Sequence, residues 1–153
     1  MLAIGLSGPG AADAAVQASA GTTLSKIERT LLQVMNEART ARGLTPLLVD
    51  KRLQKAARAH SRDMVRRGYF SHGAFGRRLL RYGVRGNIMA ENLAAATGKR
   101  VRVREIVRQW LQSPGHRANL LGSSFQRVGI GAAPGRLPGF GKVRVFTADF
   151  AGG

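Results

Sequence analysis

The sequence predicts an α+β domain, helices first and strands last, on three observations. Apolar residues recur at intervals of three and four through the first two long segments after residue 22. Two β-rich runs near the C-terminus are bounded by glycine and proline. At 153 residues the chain has room for one well-packed core and not for two.

The first twenty residues are Ala/Gly-rich, with a short apolar opening, Leu2 to Leu6, and the small-residue triplets Ala12-Asp13-Ala14 and Ala18-Ser19-Ala20 that suit a cleavage site. The first basic side chain is Lys26, and Gly5, Gly8 and Pro9 break the apolar run, so the export signal is incomplete and the segment is too short to span a membrane. Residues 1–22 are therefore expected to be a signal-like or disordered N-terminal segment, residues 23–153 the domain, and the protein secreted.

Ser25 and Glu28 have capping-box spacing, and Leu24, Ile27, Leu31, Val34, Ala38 and Ala41 form the stripe of a first helix ending near Gly43. Pro46 removes Thr45 from the α region, and Asp50 stands as the N-cap of a second helix, Lys51 to Arg67, stopped by Gly68. Its stripe is Leu53, Ala56, Ala57, His60 and Met64. Tyr69 to Asn92, with Gly73, Gly76, Gly83 and Gly86, reads as a loop carrying a short helix around Arg77 to Tyr82. Val101 to Leu111 is helical, and Ser113-Pro114 opens a further helix closed by Gly122. Val128 to Gly131 and Val143 to Phe150 read as strands joined by a loose Pro/Gly-rich loop over residues 133–141.

The net charge of +17, from 25 Lys plus Arg against 8 Asp plus Glu, favours anionic partners. The arginines are dispersed, although Arg100, Arg104 and Arg108 would share a helix face. Aromatic residues beside arginine clusters are nearly absent, which excludes specific nucleic-acid recognition and leaves weak nonspecific attraction. With no cysteine, disulfides and thiolate chemistry are excluded.

In order along the chain stand His60-Ser61-Arg62-Asp63-Met64, Phe70-Ser71-His72, Ala90-Glu91-Asn92-Leu93, Trp110 to Arg117, and Val128-Gly129-Ile130-Gly131. Together these strings resemble the bacterial, SCP-like branch of the CAP superfamily (cysteine-rich secretory, antigen 5 and pathogenesis-related proteins), from about Leu24 to Phe150. The resemblance implies a three-layer αβα sandwich around a central antiparallel sheet, supplied by strands between Ala90 and the C-terminus. It also implies a cleft. Eukaryotic members carry two His and two Glu there; the matching positions here are His72, Glu91 and His116, with one acid missing. Ser113 occupies the place where the second acid would be sought, and Glu105 lies on the preceding helix. Ser113, Asn92 and Arg117 complete the expected cleft set.

Two imidazoles and a carboxylate suit Zn²⁺ or another divalent cation, with His72 and His116 as ligands, Glu91 as ligand or general base, and an open position for water. Separations of 19 and 25 positions contain no local ligand motif, so a hydrogen-bonded polar network around Glu91, or metal-free ligand binding, remains open beside it. Ser113 three residues before His116 suits a helix N-cap as well as a nucleophile. His60 reads as a core histidine within reach of Asp63, Trp110 and Phe70 as core anchors, and Arg117 as either solvated or facing an anionic ligand. The function these features favour is a secreted binding module whose His/Glu cleft engages an anionic envelope component, a lipid or a protein. The alternative is a metal-dependent hydrolase acting on peptide or cell-wall substrates.

Overall fold

A computed structural model describes residues 23–98 and 100–153; the expected signal-like segment, 1–22, lies outside the described residues. The capping box is formed, with Ser25 N donating to Glu28 Oε2 at 2.8 Å and Glu28 N to Ser25 Oγ at 3.4 Å, and helix α1 runs Lys26–Thr40. After strand β1, Leu48–Val49, the Asp50 carboxylate accepts from Arg52 N at 2.8 Å and Leu53 N at 3.0 Å, starting α2, Lys51–Arg67. Gly68 ends it at φ 70°, the left-handed geometry a side chain would resist. There follow α3, Phe75–Arg81; β2, Ile88–Thr97; α4, Val103–Gln112; α5, Pro114–Leu121; β3, Arg127–Leu137; and β4, Gly141–Gly152. Because α4 starts at Val103, Arg100 stands outside the helix face on which it was expected. Arg104 instead pairs with Glu37 at 2.8 Å and Arg108 with Glu105, an ordinary solvated surface.

The strands lie in the order β1-β3-β4-β2, with β2 and β3 both antiparallel to β4. The sheet departs from a purely antiparallel one only at two-residue β1, which runs parallel to β3. Two expectations fail here. The connector expected to run to Asn92 is already strand from Ile88, because Ala90, Glu91 and Asn92 pair with Phe150, Asp149 and Ala148. The loose loop over 133–141 shrinks to residues 138–140, since β3 continues through Pro134 to Leu137. Pro134 is tolerated for a geometric reason. Val128 O accepts from Asp50 N, and Ile130 is bonded by a side chain from α2, so even-numbered residues of β3 turn their main-chain groups away from β4. The missing N–H of Pro134 falls in that set and costs the hairpin nothing.

Alternation along β4 separates two cores. Phe146, Ala148 and Phe150, all 0% exposed, join Leu31, Leu32 and Met35 of α1, Val107 and Trp110 of α4, and Leu120 of α5 on one face. Val143, Val145 and Ala151 face the other way, toward Leu53, Ala56 and Met64 of α2 and Leu79 of α3. Helices thus cover both faces of the sheet, at about 1.5–3 kcal/mol for each large apolar side chain buried. Trp110 is a core anchor as expected, its indole donating to Leu93 O at 2.9 Å. Phe70 is not: it is 39% exposed and leans on Phe140 at a centroid distance of 6.1 Å. It follows a helix stop and precedes a loop, so no second layer closes over it.

The Val-Gly-Ile-Gly string is where α2 meets β3. A Cβ on Gly129 would lie 2.0 Å from Leu53 C, one on Gly131 2.2 Å from Ala57 O, and one on Gly135 2.6 Å from Val65 Cβ. The helix therefore rests on the strand's backbone. At that approach the Gln54 amide replaces a neighbouring strand, accepting from Ile130 N at 2.8 Å and donating to Ile130 O at 2.5 Å.

Candidate functional site

Glu91 lies in β2 directly opposite Asp149 in β4, so both carboxyls project from the face that α2 and α3 cover. Its side chain is 1% exposed, and both oxygens are engaged. Oε1 lies 2.7 Å from His72 Nδ1, and Oε2 accepts from Arg78 Nη2, which also reaches Asp149 Oδ1 at 3.3 Å. Arg78 donates through Nη1 to His72 O at 3.1 Å, fastening α3 and the connector before it to the sheet. From α2, the His60 Nε2 stands 3.8 Å from Glu91 Oε2 and 3.0 Å from Ser71 O. A carbonyl only accepts, so His60 carries its proton on Nε2.

One guanidinium facing two buried carboxyls sets the electrostatics. Burial pushes Glu91 up to about 7 against the pull of Arg78. Burial first, and then the charge of Glu91, holds Asp149 well above the usual carboxylate range. The pair therefore keeps a shared proton at neutral pH, and the cluster with Arg78 stays close to neutral. Burial, followed by the Arg78 charge, lowers His60 to about 4, so its ring is uncharged.

His116 arrives from the other side. Helix α5 lies along the outer edge of β2, where Asn119 Nδ2 donates to Glu91 O at 3.2 Å and to Asn92 Oδ1 at 2.9 Å, and Asn92 Nδ2 donates to His116 O at 2.9 Å. Burial, and then the neighbouring His72, lower the His116 pKa. The structure thus joins His72 to Glu91 directly and ties His116 to the next residue, Asn92, through its main chain. Ser113 occupies the N-cap position of α5 but its hydroxyl makes no capping bond, contrary to the expectation; Ser113 O accepts from Arg117 N at 2.8 Å. Arg117 is exposed. His60 does not bond Asp63, whose carboxylate instead takes Tyr69 Oη at 2.8 Å and Arg66 at 2.6 Å.

Sequence reasoning missed three members of this cluster. The second buried acid is Asp149, not a residue near Ser113, and Glu105 points to Arg108 on the surface. Asp149 had a signal, an acid set between Ala148 and Phe150 in an expected strand; Arg78, one arginine among many, had none. His60 was read as core but not as a neighbour of Glu91.

A family model described as CAP, the cysteine-rich secretory protein family, matches residues 32–150. The chain belongs to the CAP family. The Bacillus subtilis protein YkwD is 34% identical over 118 residues, covering 74% of this chain and 45% of its own length. A B. subtilis membrane protein, YlbC, is 34% identical over 109 residues, covering 68% and 31%. The chain thus spans less than half the length of these curated relatives. Among solved structures, an extracellular SCP-domain protein of Bacillus anthracis superimposes with a TM-score of 0.67 at 29% identity, covering 96% of this chain and 45% of that one. An outer surface protein of Borrelia burgdorferi gives 0.66 at 20% identity, covering 86% and 97%. This CAP domain departs from the family's name in having no cysteine. Among the described residues, no helix is long and apolar enough to cross a membrane.

Proposed function

We propose that this CAP domain is an extracellular binding module whose cleft presents His72 and His116 to an envelope polymer, a lipid or a protein. The observation that carries this reading is the state of Glu91. A carboxyl with Oε1 on His72, Oε2 on Arg78 and a side chain 1% exposed orients an imidazole rather than presenting a free oxygen to a cation. His72, by contrast, is 56% exposed, so with Nδ1 directed at Glu91 its Nε2 is left for a partner.

The hydrolase reading requires Zn²⁺ on three protein ligands with a fourth position open. His72, Glu91 and His116 do not fit that requirement, because the carboxylate is already committed on both oxygens. No step is drawn through a metal. Consistent with a metal-free cleft, Zn²⁺ should leave the melting temperature unchanged, whereas a bound ion at a hundredfold excess over Kd would add about 2.7 kcal/mol.

Cosedimentation with peptidoglycan sacculi, and separately with phosphatidylglycerol vesicles, tests the cleft. The His72→Ala/His116→Ala double variant should still melt cooperatively while its retention falls to background. Retention equal to that of the unsubstituted protein, or a zinc-dependent rise in melting temperature, would overturn the reading.

A further inference from the structure

Beside the cleft, and sharing His60 and Arg78 with the cluster around Glu91, helices α2 and α3 line a groove of about 1280 Å³ floored by Ala133 and Pro134 of β3. None of His72, Glu91 and His116 lines it. Its charged wall is one-sided: six arginines, Arg62, Arg66, Arg67, Arg77, Arg78 and Arg81, face a single acid, Asp63. That acid is already taken by Arg66 at 2.6 Å, Arg67 at 3.5 Å and the Tyr69 hydroxyl. Arg78 is spent on Glu91 and Asp149. Among the described residues, Arg62, Arg77 and Arg81 pair with no carboxylate, and all three are exposed.

We propose that this groove docks a linear phosphate-bearing polyanion. Arg62 and Arg66 stand one turn apart on α2, and Arg77 and Arg81 one turn apart on α3, about 6 Å of helix rise in each case, so the α3 wall offers two unpaired guanidinium forks and the α2 wall one, with Arg66 shared with Asp63. A guanidinium grips a phosphate through two parallel N–H···O bonds, and forks repeated on both walls suit a chain of anions rather than one ion. The volume is far larger than a lone phosphate needs. A membrane surface is flat and would touch only the rim. This inference goes beyond the cleft reading and stands or falls separately from it, because it uses none of the cleft's side chains.

The probe is long-chain inorganic polyphosphate, titrated calorimetrically at several salt concentrations. The variant Arg62→Gln/Arg66→Gln/Arg77→Gln/Arg81→Gln should bind at least about tenfold more weakly, and its slope of log K against log salt should fall by about 3. The control Lys26→Gln/Arg42→Gln/Arg102→Gln/Lys142→Gln removes the same charge from outside the groove and should lose less than about one unit of slope. Equal losses in the two variants, or no binding by the unsubstituted protein, would overturn the proposal. Amide shifts of the unsubstituted protein provide a reading that needs no variant: polyphosphate should move α2, α3 and residues 133–134. Shifts spread over the basic surface, or equal affinity for phosphatidylglycerol vesicles, would count against a groove for a chain.

Discussion

Helix α2 covers the sheet in two ways at once. Over β3 it makes backbone-to-backbone contact, made possible by Gly129 and Gly131, with Gly135 admitting the Val65 side chain, and completed by the Gln54 amide on Ile130. Over β4 and β2 it stands off, and the space holds Ser61 bonded to Thr147 at 2.9 Å, then His60, Glu91, Arg78 and Asp149. The first contact positions the second. Because the helix is seated on glycines at one margin, it leaves room at the other for a polar cluster that no water-filled channel is needed to explain. The difference teaches that the stability of this domain and its site chemistry share one helix but not one kind of contact.

The seated margin should fail hardest. Gly129→Ala with Gly131→Ala places two Cβ atoms 2.0 Å and 2.2 Å from α2 backbone, which no rotamer change relieves. The cost should reach about 5 kcal/mol, comparable to the whole stability of such a domain, and urea unfolding should lose its cooperative transition. A folded double variant within about 1 kcal/mol of the parent would mean that the helix can lift without consequence, and the contrast would dissolve.

These two margins also differ in how far they could be read from the chain. Capping at Ser25 and Asp50, the stop at Gly68 and the stripe of α2 are local, so spacing within one element carried them. The glycines of β3 were visible as part of a family-like string, though only the structure shows the helix backbone they admit. Glu91 and His72 were legible through that same resemblance. Asp149 and Arg78 were not, since they meet Glu91 only after β4 pairs with β2 and α3 folds back over both. Pro134 and its glycine neighbours suggested a loop because composition does not say which edge of a strand is free.

Next in size is the removal of the one cation at the stand-off margin. Arg78→Met should cost about 3 kcal/mol, because two buried carboxyls lose the guanidinium that faces both. Adding Glu91→Gln should return much of that loss, since a single neutralised pair no longer needs a counter-charge. Additive costs in the double variant, read from urea midpoints at constant slope, would show that Arg78 acts by packing alone.

The smallest effect is in the pH dependence, and its sign follows from which state holds more protons. Glu91, at about 7, and Asp149, well above its ordinary value, retain protons in the folded chain that the unfolded chain releases from near pH 4, so they make stability fall as pH rises through that window. His60 works oppositely. Lowered from 6.5 to about 4, it makes stability rise with pH between those values and offsets one of the two carboxyl contributions there. Above 6.5 the carboxyl pair is left, so the protein should lose about 1 kcal/mol from Glu91 between pH 6.5 and about pH 8, with Asp149 adding to the loss. Glu91→Gln removes the group that titrates near 7 and takes away the charge that raises Asp149, so the loss should shrink. A decline of equal slope in Glu91→Gln would place the titrating group elsewhere, and the stand-off margin would then be a polar contact without a shared proton.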